Sequence, residues 1–463
     1  MNALARNFGN TQEDNRMSLF NRIAAVSGAG AIAALALAGV AFAQDAPVTP
    51  VMDKGDVAWM LTCTVLVTAM TVPGLALFYG GLVRSKNMLS VLTQVFAIFC
   101  IAILVWVGWG YSLAFDPNGE SVAGFVGGFS RVFLAGVDAS TMAATFDANY
   151  VIPEFVFIAF QMTFAGITAA LIVGALAERV KFAGLIVFVV LWLTIVYAPI
   201  AHMVWAAGGI LFEAGAFDFA GGTVVHINSG IAALVGCLIL GKRIGYGKDA
   251  MPPHSLTMTL IGASLLWVGW FGFNVGSNLE ADEATGLVMI NTFVATAAGG
   301  LAWQFGEWVT KGHPSLLGLL SGAIAGLVAI TPACGFAGPM GSIILGLLAG
   351  LLCFFACTTL KKALGYDDAL DVFGIHGVGG ILGALGTAIV AAGSLGGIKT
   401  EADYDMMAQL MIQGEGVLIT IAWSGIGSAV LFVLIKLIFG IRVKEEEERE
   451  GLDITTHGER AYN

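Results

Sequence analysis

The stretch that decides how this chain is built is Asp218-FAGGTVV-His226-INS-Gly230-Ile231-AALV-Gly236, because it occurs twice. The second copy, Asp368-ALDVFGI-His376-GVG-Gly380-Ile381-LGAL-Gly386, repeats Asp, His, Gly, Ile and Gly at identical offsets 150 positions later. Both copies lie in apolar sequence, so each half of the protein carries one histidine inside a hydrophobic segment. An ionisable side chain is costly in such surroundings and marks a functional site. A lone histidine on an apolar helix is ordinarily a satisfied core residue; two at equivalent repeat positions point to a shared role.

Composition supplies the setting. The 463 residues are 57% hydrophobic and 11% charged, with a mean hydropathy of +0.86, whereas soluble domains carry roughly 25% charged residues. A polytopic, all-α integral membrane protein follows. The 62 glycines are about twice the usual ~7% share. They are spread through the apolar runs, where small residues let helices approach closely, and so do not read as a flexible linker.

The N-terminus reads as targeting sequence. Arg22 is followed by small apolar residues from Ile23 to Val40 and then by Ala41-Phe42-Ala43 before Gln44, an A-x-A cleavage pattern. Residues 1–43 are therefore expected to be removed, with the mature chain starting outside the cytoplasm. The polar residues before Met17 fit an upstream start codon. Further on, apolar runs close to the ~20 residues a bilayer crossing needs lie at 57–82, 88–115, 151–177, 182–204, 222–241, 255–277, 286–309, 315–332, 338–360, 371–393 and 406–440.

Eleven spans put the termini on opposite sides. Connections holding Arg84, Lys86, Arg179, Lys181, Lys242, Arg243, Lys248, Lys311, Lys361 and Lys362 alternate with connections holding Arg131 and Lys399. The positive-inside asymmetry then sets the C-terminus in the cytoplasm and the N-terminus outside. His226 falls in the fifth span and His376 in the tenth, so each repeat has five spans and the second copy is inverted. Inverted repeats put a substrate site near the bilayer midplane between the halves, with the two histidines facing each other. The eleventh run is left over, and its length predicts a long, strongly tilted helix along the outside. The chain thus divides into 1–43 (signal and extension), 44–441 (membrane domain) and 442–463 (polar cytoplasmic tail).

Other chemistry is thin. The six cysteines show no framework spacing, and Cys353 and Cys357, one helical turn apart, read as packing residues. Two histidines without carboxylate or thiolate partners make an incomplete metal site, so no metal or cofactor is expected. No glycine-rich loop followed by Lys-Ser or Lys-Thr supports ATP-driven pumping. Neither enzyme activity nor a nucleic-acid partner is expected.

Four stretches carry a family resemblance: GLALFYGGLVRSKN (Gly74 to Asn87), DFAGGTVVHIN (Asp218 to Asn228), GWFGFNVGS (Gly269 to Ser277) and DVFGIHGVGG (Asp371 to Gly380). In this order, from about Asp53 to the C-terminus, the chain resembles the ammonium transporters of the Amt/Mep/Rh superfamily, bacterial Amt branch. The resemblance implies a homotrimer in the bacterial inner membrane with one pore per subunit, taking up ammonium or ammonia. It implies an outer recruitment site of Phe164, Trp205 and Ser277, a gate of two stacked phenyl rings, Phe164 and Phe273, and a pore lined by His226 and His376. Phe160, one turn before Phe164, reads as packing at the mouth, and Asp218 as a structural carboxylate that shapes the outer field. The tail, with its EEEERE run, resembles the segment that docks on the cytoplasmic face and cooperates with PII signalling proteins; by itself such a run reads as solvated. The alternative is an ammonium sensor signalling through that tail, against which the intact pore residues count.

The physical chemistry of these residue types is consistent with that reading. A cation over aromatic faces gains roughly 0.5–2 kcal/mol, and a hydroxyl oxygen can accept one of its protons. Burial disfavours imidazolium, so paired neutral rings with one nitrogen donating and one accepting are expected. Carrying an intact ion into a low-dielectric interior costs an idealised ~20 kcal/mol. Removing one proton from ammonium, with a pKa of roughly 9, costs ~3 kcal/mol at neutral pH. Deprotonation is the easier route, and potassium has no proton to surrender.

Overall fold

The computed structural model describes residues 49–116, 124–400 and 404–462; the signal sequence expected at 1–43 lies outside them. Among the described residues ten helices are long and apolar enough to cross a bilayer. In chain order they are α1 (Lys54–Leu82), α2 (Ser85–Phe115), α3 (Glu154–Leu176), α4 (Phe182–Glu213), α5 (Gly222–Leu240), α6 (Leu256–Gly276), α7 (Glu283–Lys311), α9 (Pro339–Leu364), α10 (Phe373–Val390) and α11 (Met406–Ile438). Between α7 and α9 runs α8 (Leu316–Ile330), apolar but only 15 residues. At 1.5 Å per residue it reaches ~22 Å, short of the ~30 Å hydrocarbon core. Ten of the eleven expected spans are thus helices of spanning length, and the run expected at 315–332 is the shorter α8. Three short strands complete the fold: β1 (Val51–Met52) runs parallel to β3 (Tyr150–Pro153), which pairs antiparallel with β2 (Met142–Ala144).

α5 and α10, the two histidine helices, start alike. Asp218 accepts the backbone N–H of Thr223, five residues on, at 3.0 Å, and Asp368 accepts that of Phe373 at 2.7 Å. A carboxylate here satisfies N–H groups that the first turn leaves unpaired and sits at the positive end of the helix dipole. Both helices then open with a wider π-helical turn, Gly222–Ile227 and Phe373–Gly377, seen in the bond from His226 N–H to the Gly221 carbonyl at 3.1 Å. Gly221 adopts φ +112° there, a conformation open to glycine.

The two helices cross at their glycines. A Cβ on Gly230 would lie 2.3 Å from the backbone nitrogen of Gly377, so the helices touch backbone to backbone, one turn after His226 and at the residue that follows His376. Small-residue contact of this kind draws membrane helices together without a hydrophobic driving force.

α11 has 33 residues, about 50 Å of helix, which exceeds a bilayer core and calls for tilt or protrusion. Its inner face is anchored by Phe432 stacked on Phe188 (3.9 Å) and by Ser424 donating to the Asn228 carbonyl (2.8 Å), while Leu418 and Ile426 on its outer face are exposed.

The tail is ordered rather than solvated. It forms α12 (Glu445–Glu450) and α13 (Leu452–His457), burying Glu448, Leu452 and Asp453. Asp453 accepts the N–H groups of Leu89 (3.1 Å) and Ser90 (2.8 Å) in α2, and the Lys86 ammonium donates to the carbonyls of Glu448 and Arg449. A tail carboxylate thus bonds N–H groups in the first turns of α2, and a lysine at the start of α2 bonds carbonyls at the end of α12, each charge matching the helix dipole it meets.

Candidate functional site

The sequence-predicted residues fall into one column of rings. Phe164, one residue in α3, is buried, and the edge of Trp205 in α4 meets it at 5.8 Å and 81°. On the other side Phe273 of α6 stacks on Phe164 at 4.2 Å and 14°. Next come His226, 6.0 Å from Phe273, and His376, 5.2 Å from His226 and tilted by 28°. The two imidazoles share a hydrogen bond from Nδ1 to Nδ1 at 3.2 Å. One ring therefore donates through Nδ1 and the other accepts, which makes their tautomers complementary. The Nε2 of His226 is buried and has no hydrogen-bond partner among the described residues.

Local sequence explains each placement. Ser277 follows Phe273 by one turn at the end of α6, and its hydroxyl donates back to the Phe273 carbonyl at 2.8 Å, leaving the oxygen free to accept. Trp205 ends the main run of α4, and its indole N–H donates to the Asp218 carbonyl at 2.9 Å. The Asp218 carboxylate is buried and takes N–H bonds from Gly221, Thr223 and Val224 at 3.0–3.1 Å. These bonds tie the carboxylate to the backbone that opens α5. Burial pushes its pKa up to about 6 while those N–H bonds pull it down.

The histidines line a cavity of about 10 Å³ together with Leu75, Ile167, Leu171, Val225, Trp270 and Phe273. That is room for one water-sized molecule, in walls whose polar atoms are few. Among the described residues no group of three or more His, Cys, Asp or Glu is placed to hold a metal ion.

Trp270 was not singled out by sequence reasoning. It stacks on His226 at 5.5 Å and 25°, and its indole N–H is occupied by Thr331 Oγ1 at 3.0 Å. Its spacing, three residues before Phe273, puts both on one helix face and is the signal that would have found it. Phe160 tilts against Phe164 at 4.9 Å and is fully buried, a packing neighbour of the column, as expected. Asp368, visible in the repeat but given no role, takes the place that Asp218 has in the first half.

A polytopic helical membrane protein with a small histidine-lined cavity between two repeats has the architecture of a transporter. The chain belongs to the ammonium transporter family, whose model matches residues 58–462. It is 48% identical to an ammonium transporter of Aquifex aeolicus over 89% of this chain and 94% of that protein, and 46% identical to one of Bacillus subtilis over 89% and 99%. Among solved structures it is similar to a sensor Amt protein, with a TM-score of 0.78 at 30% identity, covering 87% of this chain and 98% of that one.

Proposed function

We propose that this protein takes up ammonium from outside the cell and conducts it as ammonia past the twin histidines. The observation that carries the reading is the Nδ1–Nδ1 bond between His226 and His376 beside a cavity of one water-sized volume. Such a pair offers a neutral molecule a lone pair or an N–H without presenting a charge. In this reading ammonium is captured between Trp205, Phe164 and Ser277, where ring faces attract a cation and the serine oxygen accepts a proton. The Phe164–Phe273 stack acts as the gate: two rings 4.2 Å apart leave no passage for a hydrated ion until they part.

Energetics favour division of the substrate. An intact cation in this interior costs several kcal/mol even after relaxation, against ~3 kcal/mol for loss of one proton at neutral pH. Ammonia then passes His226 and His376, a proton follows along the imidazole pair, and the two recombine inside. Family membership supports the further parts of the proposal: a homotrimer in the bacterial inner membrane, the tail on the cytoplasmic side, and control by a PII protein at the docked tail. Similarity to a sensor Amt protein keeps sensing as the second reading.

Solid-supported-membrane currents on proteoliposomes test the proposal. Ammonium jumps are expected to give current in the unaltered protein, potassium jumps none, and His226→Leu or His376→Leu to abolish the ammonium current. Undiminished current in those variants would refute the divided route, and equal potassium current would refute the selectivity.

A further inference from the structure

Lys399 lies in the connection between α10 and α11, half-buried, and its ammonium is held over rings. It sits 5.0 Å from the ring centroid of Phe217 and 5.9 Å from that of Phe336, and these two rings stack on each other at 4.4 Å. Phe336 in turn meets Phe219 edge-on at 5.8 Å and 88°. The backbone around the lysine is tied down as well: Ile398 N–H donates to the Phe336 carbonyl at 3.0 Å and Lys399 N–H to that of Ala391 at 3.0 Å.

Of the two rings under this cation, Phe217 belongs to the segment that carries the outer site. Asp218 lies between Phe217 and Phe219, and its carbonyl accepts the Trp205 indole N–H at 2.9 Å. On one side Gln413 clamps Phe217, accepting its N–H at 2.7 Å and donating to its carbonyl at 2.8 Å. On the other, Phe219 N–H donates to the Pro332 carbonyl at 3.2 Å. Lys399 is thus linked to Trp205 by an unbroken series of contacts through Phe217, Phe336 and the peptide of Asp218.

We propose that Lys399 is a positioning residue for ammonium capture: its cation pins the Phe217–Phe336 stack, which holds the Asp218 carbonyl at the distance that orients the Trp205 ring. This rests on the outer-site reading above. The role needs a cation and not merely a long side chain, because the attraction is to the negative ring faces. Arginine, which also stacks on aromatic rings, should substitute.

Initial uptake rates against ammonium concentration, in proteoliposomes, provide the test. Lys399→Met and Lys399→Gln are expected to raise the half-saturating concentration about 2- to 5-fold, the factor that a partly exposed cation–π contact represents. The maximal rate should be unchanged, and Lys399→Arg should restore the original value. Trp205→Leu runs in parallel and is expected to raise half-saturation at least as much. If Trp205→Leu raises it and the Lys399 variants do not, the positioning role alone is overturned; if Trp205→Leu changes nothing, the outer-site reading fails. A half-saturation that falls in Lys399→Gln and converges with the unaltered protein at high salt would show a repulsive charge instead and overturn the proposal. So would a loss of maximal rate with a lowered melting temperature in both neutral variants.

Discussion

Ser277 donates its hydroxyl proton to the Phe273 carbonyl at 2.8 Å, so its oxygen is left with lone pairs and no competing donor role. A bond from ammonium to that oxygen is charge-assisted, and such bonds contribute about 1.5–3 kcal/mol. Taking the lower end of that range, Ser277→Ala is expected to raise half-saturating ammonium about tenfold while leaving the maximal rate intact. Uptake kinetics in proteoliposomes decide it, and a fall in maximal rate at unchanged half-saturation would contradict the assignment. At the same scale the sequence was most readable. His226 and His376 stand out by repeat position and Phe273 and Ser277 by motif, whereas Phe164 and Trp205 are named through the family resemblance alone. Trp270 and Lys399 do not stand out, since their roles lie in which rings they touch.

At the scale of the helix, α5 and α10 are held by a backbone contact. Gly230 packs on Gly377, the residue after His376, and an added Cβ would lie 2.3 Å from its nitrogen and 2.4 Å from its Cα. Neither atom can yield without moving the helix. Gly230→Ala is therefore expected to cost about 1–3 kcal/mol by overpacking and to shift His376 from its partner. Ammonium flux should fall roughly tenfold or more, as misplaced groups at a reacting site do; thermal unfolding and flux on the same preparation check both effects. Unchanged flux would mean that the imidazole pair tolerates separation. Helix ends were legible to within a few residues, because apolar runs stop where charged connections begin. The lengthening of the fourth span to Glu213 and the shortness of α8 were not, since both depend on neighbours that cover the backbone.

Across the whole molecule, the connections on the side of the C-terminal tail are cross-linked by charge. Arg84 after α1 pairs with Glu178 after α3 at 2.6 Å; Glu178 also meets Arg243 after α5 at 3.3 Å, and Arg243 meets Asp367 after α9 at 2.8 Å. The tail joins through Glu448, which accepts the Ile244 N–H at 2.7 Å and pairs with Arg442 at 2.8 Å. Asp367 and Glu178 are almost wholly buried, and removing one member of a buried pair typically costs about 3–5 kcal/mol. Asp367→Ala is expected to lose that much, read as a lowered melting temperature in detergent.

Burial would raise both carboxyls, but hydrogen bonds and charge from the arginines overcome it and hold Glu178 and Asp367 below their ordinary 4.5 and 3.8. A lowered folded pKa gives stability that is full above the ordinary range and lost as pH falls through it. Acidification below about pH 4 should therefore destabilise the protein, and less steeply in Asp367→Ala. A stability flat through that range would remove the network from the account.

What the amino-acid sequence determined alone was the class of molecule and the repeated pattern that carries the two histidines. Apolar length, charge asymmetry and a duplicated Asp-His-Gly pattern are local or periodic properties, readable without knowing what packs on what. Only the tertiary structure decided that two histidines 150 residues apart share a hydrogen bond at 3.2 Å. It alone seated an acidic tail on the start of α2 and laid a lysine across the rings behind Trp205. These depend on close approach between distant segments, and such contacts are set by the shape of the packed whole.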